Sequence, residues 1–328
     1  MRIGVLTSGG DAPGMNAAVR AVARTALALG WEVAGIGVGY RGLLEGRIRR
    51  MDSRAVGGIL QRGGTVLGTA RSTEFATPDG QERAVRRLAE AGIEGLVVIG
   101  GNGSLTGGMR LGERGVAVVG LPATIDNDVW GTDTAIGVDT ALNTALEAID
   151  RIKDTAGSHR RAHVVEVMGR GCGYLALMSA IAGGAEAVLV PEVEPRPEEI
   201  MSAFRTSWEQ GKPHFIVVAA EGAVFTAEQF NDFVNDSAEA FESRLTVLGH
   251  VQRGGSPTAF DRILSSRLGT AAVRALADGE SGVMIGLQGR RTERVPLGEV
   301  AGQVRPLDPE LYEMAEVLAG FPEETSYR

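Results

Sequence analysis

Nine short apolar runs recur along the chain with helix-like stretches between them: RIGVLT (2–7), EVAGIGV (32–38), GLVVIG (95–100), VAVVGL (116–121), HVVEVM (163–168), AVLVP (187–191), HFIVVAA (214–220), LTVLG (245–249) and GVMIGL (282–287). Runs so continuously apolar cannot leave one face in water, so they read as strands covered by helices on both sides. This is the βαβ rhythm of a doubly wound, mostly parallel sheet. Residues 14–30 form one helical pattern, with Arg20 and Arg24 four apart on a polar face, and residues 138–154 form a second. Hydrophobic content of 44% with only 5% aromatics fits aliphatic packing between helices and sheet. A chain of 328 residues exceeds the roughly 250–300 at which single cores stop growing. The strand series divides near residue 138, which predicts two similar α/β domains facing a cleft.

A net charge of −8 argues against partners held by bulk positive charge, so neither nucleic acid nor an anionic membrane is expected. The basic clusters RIRR (47–50) and RRTER (290–294) read as solvated loop charges. The single cysteine, Cys172, excludes an intramolecular disulfide. The amino-terminal segment lacks a signal-peptide pattern, and no run of 18 apolar residues occurs; a soluble, cytoplasmic protein is expected.

In open α/β sheets ligands bind at the carboxyl ends of strands, which draws attention to TSGGDAPG (7–14), GGNGSLTGG (100–108), PATIDNDVWGTD (122–133) and MGRGCG (168–173). The first two place glycines between a strand and a helix, where bare amides and a helix N-terminus face phosphate oxygens. GVGYRG (37–42) satisfies GxGxxG, but LLEGRIRR after it is a poor helix pattern, so a dinucleotide site is not expected. The chain has no GxxxxGK[ST]. Asp126 and Asp128 supply a general base toward a hydroxyl and a second carboxylate to orient it or help hold a metal. Arg71, Arg161, Arg170, Arg244 and Arg253 lie in or beside expected loops, and guanidinium groups suit phosphate and a transferring phosphoryl group. His250 adds a donor three residues before Arg253. Together these describe phosphoryl transfer to a phosphorylated small molecule.

The ordered motifs TSGGDAPGMNAAVR, GGTVLGTARS, IGGNGS, LPATIDND, GTDTAIGVDTA, EAIDRIKDTAGSH, VVEVMGRGCG, IAGGAE and TVLGHVQRGGSP resemble the bacterial ATP-dependent 6-phosphofructokinase family nearly end to end. The resemblance implies a homotetramer of two-domain chains, with 1–137 plus 252–302 as a larger nucleotide domain and 138–251 plus 303–328 as a smaller sugar-phosphate domain. Fructose 6-phosphate and MgATP are the implied substrates, with ADP as a product. By matching positions, Asp126 resembles the base, with Thr124, Asp128 and Arg170 at the transferring phosphate. Gly10, Tyr40, Arg71, Ser72, Gly101, Asn102, Gly103 and Ser104 resemble the nucleotide site. Met168, Gly169, Arg170, Glu221, Arg244, His250 and Arg253, with Thr124, Asp126 and a neighbouring subunit's Arg161, resemble the sugar-phosphate site. Arg20, Arg24, Lys153, Glu186 and Lys212 fall where the family binds a nucleotide or phosphoenolpyruvate effector.

Departures from the family pattern sharpen the expectation. GGDGS carries its Asp at the magnesium, and Asn102 stands there instead; an amide oxygen is a permissible hard ligand but supplies no charge. Ala76 and Ser53 replace residues that are often basic. Pyrophosphate users resemble this pattern with Asp and Lys at the positions of Gly103 and Ala123, so small residues here favour ATP. A weakly catalytic binding paralogue and a pyrophosphate-dependent transferase are the alternatives.

Overall fold

The structure, a computed structural model, describes residues 1–159, 161–237 and 242–320. The last residues assigned above to the smaller domain, 321–328, lie outside these. The chain divides into two compact units, Met1–Thr140 with Arg253–Arg305, and Ala141–Gln252 with the chain from Pro306. In chain order the elements of the first are β1 (Arg2–Ser8), α1 (Met15–Ala28), β2 (Glu32–Ile36), α2 (Gly39–Glu45), β3 (Ile48–Arg50), α3 (Pro78–Glu90), β4 (Gly95–Gly100), α4 (Asn102–Gly112) and β5 (Ala117–Pro122). Helix α5 (Val138–His159) carries the chain onward to β6 (Ala162–Val167), α6 (Tyr174–Gly183), β7 (Ala187–Leu189), α7 (Pro197–Glu209), β8 (Phe215–Ala220), α8 (Ala227–Ser237), β9 (Ser243–Val247) and a 3₁₀ turn at Gly249–Gln252. It returns through α9 (Ala259–Ala277), β10 (Val283–Gln288), β11 (Arg291–Pro296) and α10 (Leu297–Val300), and α11 (Pro309–Ala319) closes the second unit.

The first unit holds a seven-stranded sheet ordered β11-β10-β5-β4-β1-β2-β3, parallel from β10 to β2. Strand β1 pairs β2 on one side and β4 on the other, so a topological switch point lies between β1 and β4. The second unit has a four-stranded, fully parallel sheet ordered β7-β8-β6-β9. All nine expected strands form, most of them because a continuous apolar run is buried between helices; β4 and β8 are buried at every position, whereas β9, at the edge of its sheet, is partly open.

Two local expectations change. The two arginine clusters are not loops: β3 pairs antiparallel with β2, and β11 pairs antiparallel with β10. Both are edge strands, where charged side chains protect the open ladder from pairing with other chains. A short helix, α2, begins inside GVGYRG at Gly39 and is stopped by Gly46 at φ 72°, so only residues 43–45 of LLEGRIRR are helical, in keeping with its poor helix pattern. The second helical pattern runs on to His159.

Candidate active site

Strands β5, β4 and β1 are neighbours, so the three turns after them lie side by side at the carboxyl edge of the larger sheet. After β1 come Gly9 and Gly10. A Cβ at Gly10 would sit 2.5 Å from Arg253 Nη1, so glycine there is what admits the guanidinium. Arg253 donates to the Asp11 carbonyl at 3.3 Å, and its Nη2 stands 3.9 Å from Asp126 Oδ1. Thr69 Oγ1 donates to the Gly9 carbonyl at 2.6 Å and so ties the loop bearing exposed Arg71 and half-buried Ser72 to this turn.

After β4, Gly101 caps helix α4, which opens at Asn102, and the Gly101 carbonyl accepts the Ser104 amide at 2.9 Å. Ser104 is buried, and its carbonyl accepts the Tyr40 hydroxyl at 2.6 Å. Tyr40 is only 5% exposed and stacks on Phe75 at 3.9 Å, so it braces the turn from beneath rather than facing a ligand. Burial pushes its hydroxyl far above the usual phenol range. The side of Gly103 opens onto unfilled space: an added Cβ there meets nothing within 4 Å.

After β5 the TIDND segment is locked in place. Asn127 takes a left-handed φ of 52°, tolerated by Asn; its side chain donates to the Asp133 carbonyl and accepts from the Ala135 amide. This kink separates Asp126, 2% exposed, from half-buried Asp128. Thr124 Oγ1 accepts the Asp126 amide at 3.1 Å. Further along, the start of α5 is clamped by buried Asp261, which accepts from the Gly137 and Thr140 amides at 2.8 and 2.9 Å and from the Thr140 hydroxyl at 2.5 Å. Burial pushes the Asp261 carboxyl up, and those three donors pull the other way. Neither Asn127 nor Asp261 stands out in the sequence; only the neighbouring aspartates mark the segment.

In the smaller unit a second set gathers at the carboxyl ends of β6, β8 and β9. Glu221 Oε1 accepts the Arg170 amide at 2.7 Å and the Gly169 amide at 3.3 Å, and so supports the turn that holds Arg170 at φ 54°. Gln252, wholly buried, accepts the Met168 amide at 2.9 Å. It sits inside the HVQRGG motif between His250 and Arg253 and was missed because nothing in its own identity signals a role. His250 is exposed on the 3₁₀ turn.

Arg161 and Arg244 are not part of this set. Arg161 precedes β6, and Arg244, expected in or beside a loop, lies in β9 opposite His163. Both sit at the amino ends of strands, bracketing Glu242 at 3.4 and 2.8 Å. The six residues of β6, at ~3.3 Å each, put them about 20 Å from Met168. The two arginines lie 83 residues apart in sequence, and the sheet register brings them together. Lys153, Glu186 and Lys212 meet around the end of α6: Lys153 Nζ donates to the Gly183 and Gly184 carbonyls, and Lys212 pairs with Glu186 at 2.9 Å. Arg20 and Arg24 lie on α1 of the larger unit, half-buried and exposed.

The phosphofructokinase family model matches residues 2–276. An ATP-dependent 6-phosphofructokinase of Shouchella clausii is 50% identical over 318 residues, covering 97% of this chain and 99% of the relative. A Thermotoga neapolitana enzyme of the same name is 50% identical over 321 residues, at 97% and 99% coverage. The chain belongs to the phosphofructokinase family. The yeast phosphofructokinase structure superposes with a TM-score of 0.85 at 40% identity, spanning 91% of this chain and 45% of the yeast chain. A pyrophosphate-dependent phosphofructokinase from Marinobacter aquaeolei shares the fold, with a TM-score of 0.82 at 22% identity over 94% of this chain and 86% of that one.

The phosphofructokinase fold brings its metal question to Asn102. The Asn102 amide nitrogen donates to the Asp128 carbonyl at 3.1 Å, which leaves Oδ1 as a buried oxygen with no hydrogen-bond partner. An orphaned hard oxygen at the start of α4 fits a magnesium ligand. Among the described residues no group of three or more His, Cys, Asp or Glu gathers to hold a metal, so nucleotide phosphates and water would complete the shell. Likewise, among the described residues no helix is long and apolar enough to cross a membrane.

Proposed function

We infer that this protein is an ATP-dependent 6-phosphofructokinase of glycolysis, which transfers the terminal phosphoryl group of ATP to the 1-hydroxyl of fructose 6-phosphate. The observation that carries the chemistry is the buried carboxylate of Asp126, held at the carboxyl edge of β5 with Arg253 at 3.9 Å and the two glycine turns beside it. Asp126 takes the hydroxyl proton as the oxygen attacks phosphorus. The amides of Gly10 and of the turn from Gly101 to Ser104 hold nucleotide phosphates, Arg71 and Ser72 border them, and Tyr40 keeps Ser104 in position. Thr124 orients the Asp126 backbone, while Asp128 and the Arg170 and Arg253 guanidiniums offset charge on the transferring group. Asn102 Oδ1, together with nucleotide phosphate oxygens, would hold a magnesium ion, which would supply charge neutralisation.

Met168, Gly169, Glu221 and His250 hold the sugar. Arg161 and Arg244 stand at the far end of their own sheet, a placement that supports their serving the sugar phosphate of a second copy, as in a homotetramer. Lys153, Glu186 and Lys212, with Arg20 and Arg24, are assigned to an anionic effector such as phosphoenolpyruvate or a nucleotide. We place the enzyme in the cytoplasm, without nucleic-acid partners. The open space beside Gly103 leaves room for the α-phosphate and nucleoside and favours ATP over pyrophosphate. The test is product analysis with fructose 6-phosphate and magnesium plus either ATP or pyrophosphate. Fructose 1,6-bisphosphate formed with ATP alone is expected. No product with ATP, or a preference for pyrophosphate, refutes the assignment.

A further inference from the structure

The chain from 51 to 77, between β3 and α3, contains neither helix nor strand. Ladder and helix hydrogen bonds therefore cannot place it, yet it carries Arg71 and Ser72. Its buried backbone groups must find partners elsewhere, because an unpaired amide or carbonyl away from water costs about as much as a lost hydrogen bond. Asn16, in the first turn of α1, supplies three of those partners. It is wholly buried; its Nδ2 donates to the Arg62 carbonyl at 2.9 Å and the Gly63 carbonyl at 3.1 Å, and its Oδ1 accepts the Val66 amide at 2.7 Å. Both amide hydrogens and the oxygen are thus spent on one loop, 46 to 50 residues away in sequence. Aspartate of the same shape has no donors and leucine has neither donor nor acceptor, so asparagine is the side chain of this size that closes the set.

From that anchor the loop is fastened step by step toward Arg71. The Thr65 and Thr7 hydroxyls share a hydrogen bond at 2.7 Å, and Thr7 Oγ1 donates to the Gly68 carbonyl at 2.9 Å. The Val38 amide donates to the Leu67 carbonyl at 2.8 Å, and Thr69 then reaches the Gly9 carbonyl. A Cβ at Gly63 would collide with the Gly255 carbonyl, so the loop crosses the QRGGSP turn backbone against backbone, two residues after Arg253. Arg71 is itself exposed, so its place follows from the backbone beneath it. We propose that Asn16 is a positioning residue for the nucleotide: it holds residues 62–69 on the path that brings Arg71 and Ser72 to the phosphates, and it touches no substrate. The assignment rests on the phosphoryl-transfer reading above and adds the residue that sets affinity on the donor side.

The test is steady-state kinetics of two variants of the full chain, with thermal unfolding confirming that each is folded. Asn16→Asp keeps the acceptor for Val66 and loses both donors; Thr65→Val cuts the bond to Thr7 from the loop side. Each lowers the population of the held loop, so KM for ATP should rise about tenfold in Asn16→Asp and about threefold in Thr65→Val, while KM for fructose 6-phosphate stays within about twofold of the parent. A role in stability alone would not split the two constants. Should Asn16→Asp not fold, Thr65→Val decides by itself. Combined with Arg71→Ala, Asn16→Asp should raise KM for ATP by less than about threefold, because the group it acts through is already gone. A parental KM for ATP in the folded variants, parallel rises in both constants, or the full effect retained beside Arg71→Ala overturns the proposal and leaves the functional reading standing. A parent protein that forms no product with ATP overturns that reading, and this assignment with it.

Discussion

Replacing Asn102 with Asp should move two properties of this enzyme in opposite directions, and the geometry sets the size of each. The Asn102 amide donates a 3.1 Å hydrogen bond to the Asp128 carbonyl, stitching the start of α4 to the TIDND segment. A carboxylate in its place puts oxygen against oxygen. Losing that bond and leaving the carbonyl poorly satisfied costs about 1.5 kcal/mol without metal, a fall of roughly 3–6 °C in the unfolding midpoint of a unit this size. With magnesium the balance reverses, because the new carboxylate adds a full negative charge where Asn102 Oδ1 offers only a dipole. A gain on the order of 1.4 kcal/mol lowers the half-saturating magnesium concentration tenfold. Turnover should rise as well, since charge neutralisation acts on the transferring group. The assay pairs thermal unfolding with and without magnesium against initial rates over a magnesium titration at saturating ATP. A variant as stable as the parent without metal, with the same magnesium dependence, would refute this account of the amide.

Three further outcomes follow from the same geometry. Asp126→Asn should lower kcat by about 10²–10⁴-fold with little change in KM for fructose 6-phosphate, because it removes the proton acceptor and keeps the shape; near-normal kcat in steady-state assays rules it out as the base. Arg161→Ser and Arg244→Ser should each raise KM for fructose 6-phosphate by roughly 10–100-fold while sparing kcat; mixing Arg244→Ser with Asp126→Asn chains should restore a low-KM fraction, and failure to do so argues against sites shared between copies. His163 concerns stability instead. Burial, then Arg161, Arg244 and His214, hold its imidazole below the ordinary 6.5, so as pH falls through 6.5 the unfolded chain takes up a proton that the folded chain does not. Stability should therefore drop below pH 6.5, and His163→Gln should flatten that drop in urea titrations; identical pH profiles for the two proteins would exclude it.

The sequence by itself determined the strands and the chemistry-bearing turns. Runs such as GLVVIG and HFIVVAA are apolar at nearly every position, and that pattern is local, written in consecutive residues, so β4 and β8 were legible. The motifs around Asp126 and Gly101–Ser104 were legible for the same reason, since each lies in one short segment directly after a strand. Edge strands β3 and β11 were hidden because their arginines face water and only pairing with β2 and β10 makes them strands. Tertiary structure alone decided which distant residues meet. Register set Arg244 beside Arg161 and about 20 Å from Met168; packing put Tyr40 under Ser104, Asp261 against the amides that start α5, and Glu316 against Arg196, 120 residues away in sequence. Such meetings depend on how strands order and chains close over long separations, and no local periodicity encodes that.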